Sequence, residues 1–132
     1  MESTLILNFL WLIPLGTWMM TKNMISPYRS AVRGVTLGLV VSPASLGLYG
    51  FYFVGPVAAI LGMLGLVLVQ FHGMAGYELA VLFNIIQSNT VVANTDKISI
   101  EILSCIFWSL TYGFLGYLYG NYKQKKNTNT AL

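Results

Sequence analysis

The stretch GVTLGLVVSPASLGLYGFYFVGPVAAILGMLGLVLVQF, residues 34–71, contains no charged residue. As one helix rising 1.5 Å per residue it would reach roughly 55 Å, against a bilayer core of about 30 Å. It must therefore fold back on itself. Gly55-Pro56 supplies the break, because Pro56 has no N–H to give a helix and disfavours helical backbone at the residue before it. The reading is a tight hairpin, with one helix over about 35–53 and another over about 56–71. The aromatic-rich LYGFYFVG, residues 48–55, sits at the turn, where an interfacial aromatic belt belongs.

Composition supports lipid as the solvent. The chain is 56% hydrophobic and only 8% charged, against roughly 25% charged in soluble domains. A water-soluble protein of 132 residues has a large surface to cover with polar groups, and this chain does not carry enough of them. Its net charge is +3, with the basic residues gathered in two places: Lys22, Arg29 and Arg33, then Lys123, Lys125 and Lys126. Each group flanks an apolar run and faces lipid headgroups on this reading. No stripe of interleaved basic and aromatic residues argues for nucleic acid.

Other segments extend the pattern outward. Residues 5–20 are apolar and about long enough to span, with Pro14 expected to kink the helix and Trp11 and Trp18 suited to an interface. The N-terminus lacks a basic region and a small-residue cleavage motif, so it reads as a retained first helix. TKNMISPYRSAVRG, residues 21–34, carries a Ser-Pro turn signal, and its arginines, four apart, share a helix face. After Phe71 comes a short apolar stretch, about 74–86, of roughly 20 Å as a helix, which suggests a re-entrant or interfacial segment. QSNTVVANTDK, residues 87–97, reads as a polar loop. A last helix is expected over about 98–119, and residues 122–132 form a polar, basic, mobile tail. The expected fold is thus an all-α integral membrane bundle within residues 1–121, of about four spanning helices plus one short helix.

Four spans create a conflict. They place the first basic loop and the basic tail on opposite faces, whereas the positive-inside rule wants both in the cytoplasm. The conflict disappears if residues 74–86 also cross or if residues 34–71 cross only once, and it softens if the chain inserts in both orientations.

Small residues mark where helices approach closely in lipid. On the last helix Cys105, Ser109, Gly113, Gly116 and Gly120 fall at about 0°, 40°, 80°, 20° and 60°, a narrow stripe that includes a literal GxxxG. Gly34, Gly38, Ser42 and Ser45 form a second stripe, and Gly55, Ala59 and Gly62 contribute on the third helix. Matching stripes within one chain favour internal packing over docking against another subunit or an identical copy.

Three polar residues are candidates for chemistry. His72, the single histidine, could ligate a metal or haem, but no second ligand or motif accompanies it. The alternative is a surface histidine ending the third helix, where a partly cationic ring suits the helix C-terminus. Glu78 is a functional candidate if it lies inside the bilayer. At the start of a new helix it is instead an ordinary first-turn carboxylate. In a continuous helix His72 and Glu78 are about 120° apart and do not pair directly, though Gly73 and Gly76 could bend the chain enough to bring them together. Glu101 has the same first-turn explanation, with Asp96 nearby as a cap, and lies about 40° beyond the stripe on its helix. Tyr77, Tyr112 and Tyr117 offer hydroxyls to packing. Cys105 stands alone, so no disulfide or CxxC metal motif exists within the chain.

No nucleophile–base pair, phosphate loop or dinucleotide fingerprint occurs. No cofactor or metal is expected, and the balance is against an enzyme. The expected function is that of an accessory, assembly or regulatory subunit of a larger membrane complex, in a prokaryotic inner membrane. Its expected partners are the bilayer and other membrane subunits or itself. The alternatives are an oligomeric transporter or channel using Glu78, His72 and Glu101, and a membrane-lesion-forming protein.

Overall fold

The structure, a computed structural model that describes residues 2–87 and 94–130, consists of five helices: α1 (Glu2–Phe9), α2 (Leu12–Met20), α3 (Ser26–Gly50), α4 (Pro56–Leu82) and α5 (Asn94–Thr130). Single 3-10 turns at Thr21–Asn23 and Phe51–Phe53 form two of the corners. The described residues include no strand. Three helices, α3, α4 and α5, are long and apolar enough to cross a membrane by length and composition.

The first segment is not one kinked helix over 5–20 but two short helices. Pro14 explains the position of the break. Its ring collides with the carbonyl four residues earlier, that of Leu10, and the chain tightens there instead of continuing. Leu10 N–H bonds to Leu7 O at 3.2 Å, Trp11 to Asn8 O at 3.3 Å and Ile13 to Leu10 O at 3.1 Å, all three-residue closures. The two helices run antiparallel to α3. Asn8 Nδ2 donates to Gly47 O at 3.2 Å near one end of α3, and Arg33 meets Trp18 and Thr21 near the other.

The hairpin at residues 50–56 forms where Gly55-Pro56 demanded it. Gly55 is extended and caps α4, and its carbonyl accepts the first helical bond, from Ala59 N–H at 2.8 Å. Pro56 opens the helix, where its missing N–H costs nothing.

Beyond Phe71 the structure corrects the expectation of a separate helix over 74–86. α4 runs unbroken from Pro56 to Leu82. Gly73 and Gly76 do not bend it. Gly76 instead lets α4 close onto α5, since a methyl group there would strike the Ser104 hydroxyl and the Ile100 carbonyl. The helix stops at Asn84, the one non-glycine residue with positive φ among those described, at 57°. Ile85 N–H reaches back to Ala80 O at 2.8 Å and Asn84 N–H to Val81 O at 3.0 Å. That is the paired closure of a Schellman motif, and asparagine tolerates the left-handed conformation it needs.

α5 is longer than expected at both ends. The polar stretch after Gly120 continues as helix to Thr130; it holds neither proline nor glycine to break the helix, and Lys123, Gln124, Lys125 and Lys126 are good helix formers. Residues 122–129 are exposed. The loop expected over 87–97 falls mostly at 88–93, outside the described residues, as do residues 131–132.

α3 and α5 form the tightest pair, antiparallel along most of α3. Gly34 lies against Tyr112 and Gly113, Gly38 against Trp108 and Ser109, Gly116 against Ser30, and Gly120 against Pro27. Ser26 Oγ donates to Gly120 O at 3.3 Å. The basic start of α3 and the basic end of α5 are therefore at the same end of the pair. α4 runs antiparallel to α3 at the hairpin, with Gly62 on Tyr52 and Gly65 on Leu48 and Tyr49. It is also antiparallel to α5, with His72 beside Trp108 and Gly76 beside Ser104 and Ile100. Three aligned rods cannot all be mutually antiparallel, so α4 is set across the α3–α5 pair.

The interior is narrow and built from small residues. Ala44, Ser45, Ala80 and Ser104 are fully buried, while Val57, Ile60, Met63, Val67 and Phe71 of α4 point outward. Several hydroxyls along the helices, those of Thr36, Ser109 and Thr111 among them, bond to carbonyls one turn back, which satisfies them without water, whereas the buried Ser104 hydroxyl has no hydrogen-bond partner.

Candidate functional site

The most developed polar constellation lies where α4 crosses α5. His72 is not at the end of its helix. α4 continues ten residues past it, and the residue is only 3% exposed. Nδ1 lies 2.9 Å from Leu68 O in the preceding turn, and Nε2 lies 2.8 Å from the Tyr112 hydroxyl. A carbonyl only accepts, so Nδ1 carries a proton, and in the neutral ring Nε2 accepts from Tyr112. Trp108 Nε1 donates to the His72 carbonyl at 2.9 Å. The rings of Phe71, Trp108 and Tyr112 enclose the imidazole, with centroids at 5.2, 4.7 and 6.1 Å. Both ring nitrogens are thus engaged within the chain. A metal or haem at Nε2 would have to displace Tyr112.

Sequence reading singled out His72 and gave Tyr112 only a packing role. It missed Trp108, whose signal was available: counted along α5, Trp108 and Tyr112 are four residues apart and share a face. No sequence rule, however, places that face against His72.

Glu78 is exposed and His72 buried, on different sides of the same helix, and the structure does not bring them together. Glu101 is half-buried on α5. Its Oε1 is buried with no hydrogen-bond partner. It lines a groove of about 500 Å³ with Leu46, Val69, Gly73 and Lys97. His72, Glu78 and Glu101 do not converge on one point, and among the described residues no group of three or more His, Cys, Asp or Glu is placed to hold a metal ion.

The basic residues around the start of α3 and the end of α5 gather at one end of that pair. Arg33 is held to the α2 end: Nε donates to Thr21 Oγ1 and Nη2 to Trp18 O, both at 2.8 Å, and the guanidinium lies 5.2 Å from the Trp18 ring centre. Arg29 Nη1 donates to Lys22 O at 3.2 Å. Lys22, Lys123, Lys125 and Lys126 are exposed.

Most of the small residues lie in helix contacts within the chain. Gly34, Gly38, Gly113, Gly116 and Gly120 are in the α3–α5 contact and Gly62 is in the hairpin. Ser42, Ser45 and Ser109 are buried, while Ala59 and Cys105 are half-buried. Gly55 differs. Nothing lies within 4 Å of where its side chain would be, and its role is the cap of α4.

No protein-family model, curated protein or solved structure matches this chain.

Proposed function

We propose that the chain is a small integral membrane protein without a catalytic centre, acting as an accessory, assembly or regulatory subunit of a larger membrane complex in a prokaryotic inner membrane. One observation carries the reading. α4 is a 27-residue apolar helix set across the other two long helices, with a broad row of large side chains, Val57, Ile60, Leu61, Leu64, Val67 and Phe71, left bare. Lipid covers such a face, and so does a neighbouring membrane helix. The polar groups support the same reading. His72 is fully partnered inside the chain.

The transport reading is weaker, because its proposed pair, His72 and Glu78, faces different surroundings. No observation favours lesion formation.

The test is a native pull-down of the tagged chain from gently solubilised membranes, read by mass. The expected result is a defined larger partner at fixed stoichiometry, lost when Val57, Leu64 and Phe71 are replaced together by polar residues. Recovery of the chain alone, or only as copies of itself, would sink the proposal.

A further inference from the structure

Beside α2 lies a groove of about 460 Å³ lined by Pro14, Leu15, Trp18, Arg33 and Leu37. Four of the five lining side chains are apolar, and the fifth is a guanidinium. Its volume is in the range of ligand-binding clefts, about 300–1,000 Å³. Arg33 does not swing freely at its edge. Two hydrogen bonds of 2.8 Å and the Trp18 ring fix it. Those bonds use Nε–H and one Nη2–H. An arginine has five N–H donors, so three remain, in a planar fork suited to two oxygens of one phosphate. Lys22 and Arg29 stand near the same end of α3, and Gly120 packing on Pro27 brings the start of the Lys123–Lys126 segment there too.

We propose that this groove is a binding site for one anionic phospholipid. Its phosphodiester engages the free donors of Arg33, and an acyl chain lies along Pro14, Leu15 and Leu37. The occupant follows from complementarity. An apolar trough headed by an immobilised cation matches an anion with a hydrocarbon tail, and the surrounding positive end matches the anionic leaflet that basic membrane flanks select. An additional protein helix would bury Arg33 against a carboxylate, and nothing here asks for one. The inference rests on the membrane character of the chain and not on its having a protein partner. The pull-down above and the lipid assay below therefore fail independently.

The test is native mass spectrometry of the full chain released from nanodiscs containing equal phosphatidylglycerol and phosphatidylcholine. The expected result is one retained phosphatidylglycerol per chain and little phosphatidylcholine. Arg33→Gln should lower retention about ten-fold, the loss of one good charged contact. Arg33→Lys should fall between, since an ammonium keeps the charge but loses the fork and the stacking. Arg33 also ties α2 to α3, so its variants could unfold. Leu37→Trp therefore decides on its own: it fills the groove, leaves every Arg33 contact in place, and should abolish retention. Equal retention of the two lipids overturns the proposal. So does retention unchanged in Leu37→Trp, or lipid displaced by soluble glycerol phosphate at matched concentration, which would show an anion site without tail engagement.

Discussion

At the scale of single residues, the contact that defines the interior is His72 with Tyr112 and Trp108. A histidine buried in an apolar helix is tolerable only if its two nitrogens are satisfied. Here one is satisfied by its own helix and the other by α5. Tyr112→Phe removes only the hydroxyl and leaves Nε2 buried without a donor. The expected outcome is a fall in thermal unfolding midpoint in detergent, equivalent to about 0.5–2 kcal/mol. The double variant with His72→Phe should recover part of that loss, because both polar partners are then gone. An unchanged midpoint in Tyr112→Phe would mean that the bond does not hold the helices. The sequence showed that His72 and Glu78 do not face each other if one continuous helix carries both, since helical geometry gives that, but not that the helix is continuous there. It did not show which of them is inside, because that depends on a partner helix 40 residues away.

At the scale of elements, the sequence was most legible where backbone chemistry is local. Gly55-Pro56 marked the hairpin, and the small-residue spacings on α3 and α5 marked faces. It was least legible where an element ends for reasons outside it. His72 looked like a terminus because a histidine is unusual inside an apolar helix, yet Tyr112 satisfies it and α4 continues. Pro14 announced a disturbance, but the break falls one turn upstream, at the carbonyl the ring strikes. The glycines permit a sharp comparison. A side chain added at Gly38 meets the backbone of Trp108 and Ser109, whereas one added at Gly16 meets nothing within 4 Å. Gly38→Ala should force α3 and α5 apart and cost about 1–3 kcal/mol. Gly16→Ala, within α2, should be neutral or slightly stabilising, because alanine is the better helix former. Parallel thermal melts of the two variants check this, and equal effects would mean that α3 and α5 do not meet at Gly38.

At the scale of the whole molecule, the structure recasts the charge conflict raised by four successive spans. A strict alternation would send the linker around Lys22 and the tail around Lys125 to opposite faces. Here Gly120 rests on Pro27 and Ser26 bonds to its carbonyl, so both basic segments lie at one end of α3 and α5. The positive-inside rule then applies to both together. The cost of this arrangement falls on α4. It leaves the hairpin at the far end of α3, and α5 begins toward that same end, so α4 and the link after it must start and finish there. Lying across the pair is how α4 meets that requirement. The consequence is measurable by cysteine accessibility in a Cys105→Ser background. Asn23→Cys in the linker and Asn127→Cys in the tail should react with a membrane-impermeant maleimide from the same side. Val54→Cys at the hairpin and Lys97→Cys at the start of α5 should react from the other; all four positions are exposed. If the chain inserts in both orientations, each position labels from both sides, but the first two still share one ratio and the last two its complement. Opposite labelling of residues 23 and 127 would restore the alternating four-span topology and remove the α3–α5 pairing on which the rest of the packing depends.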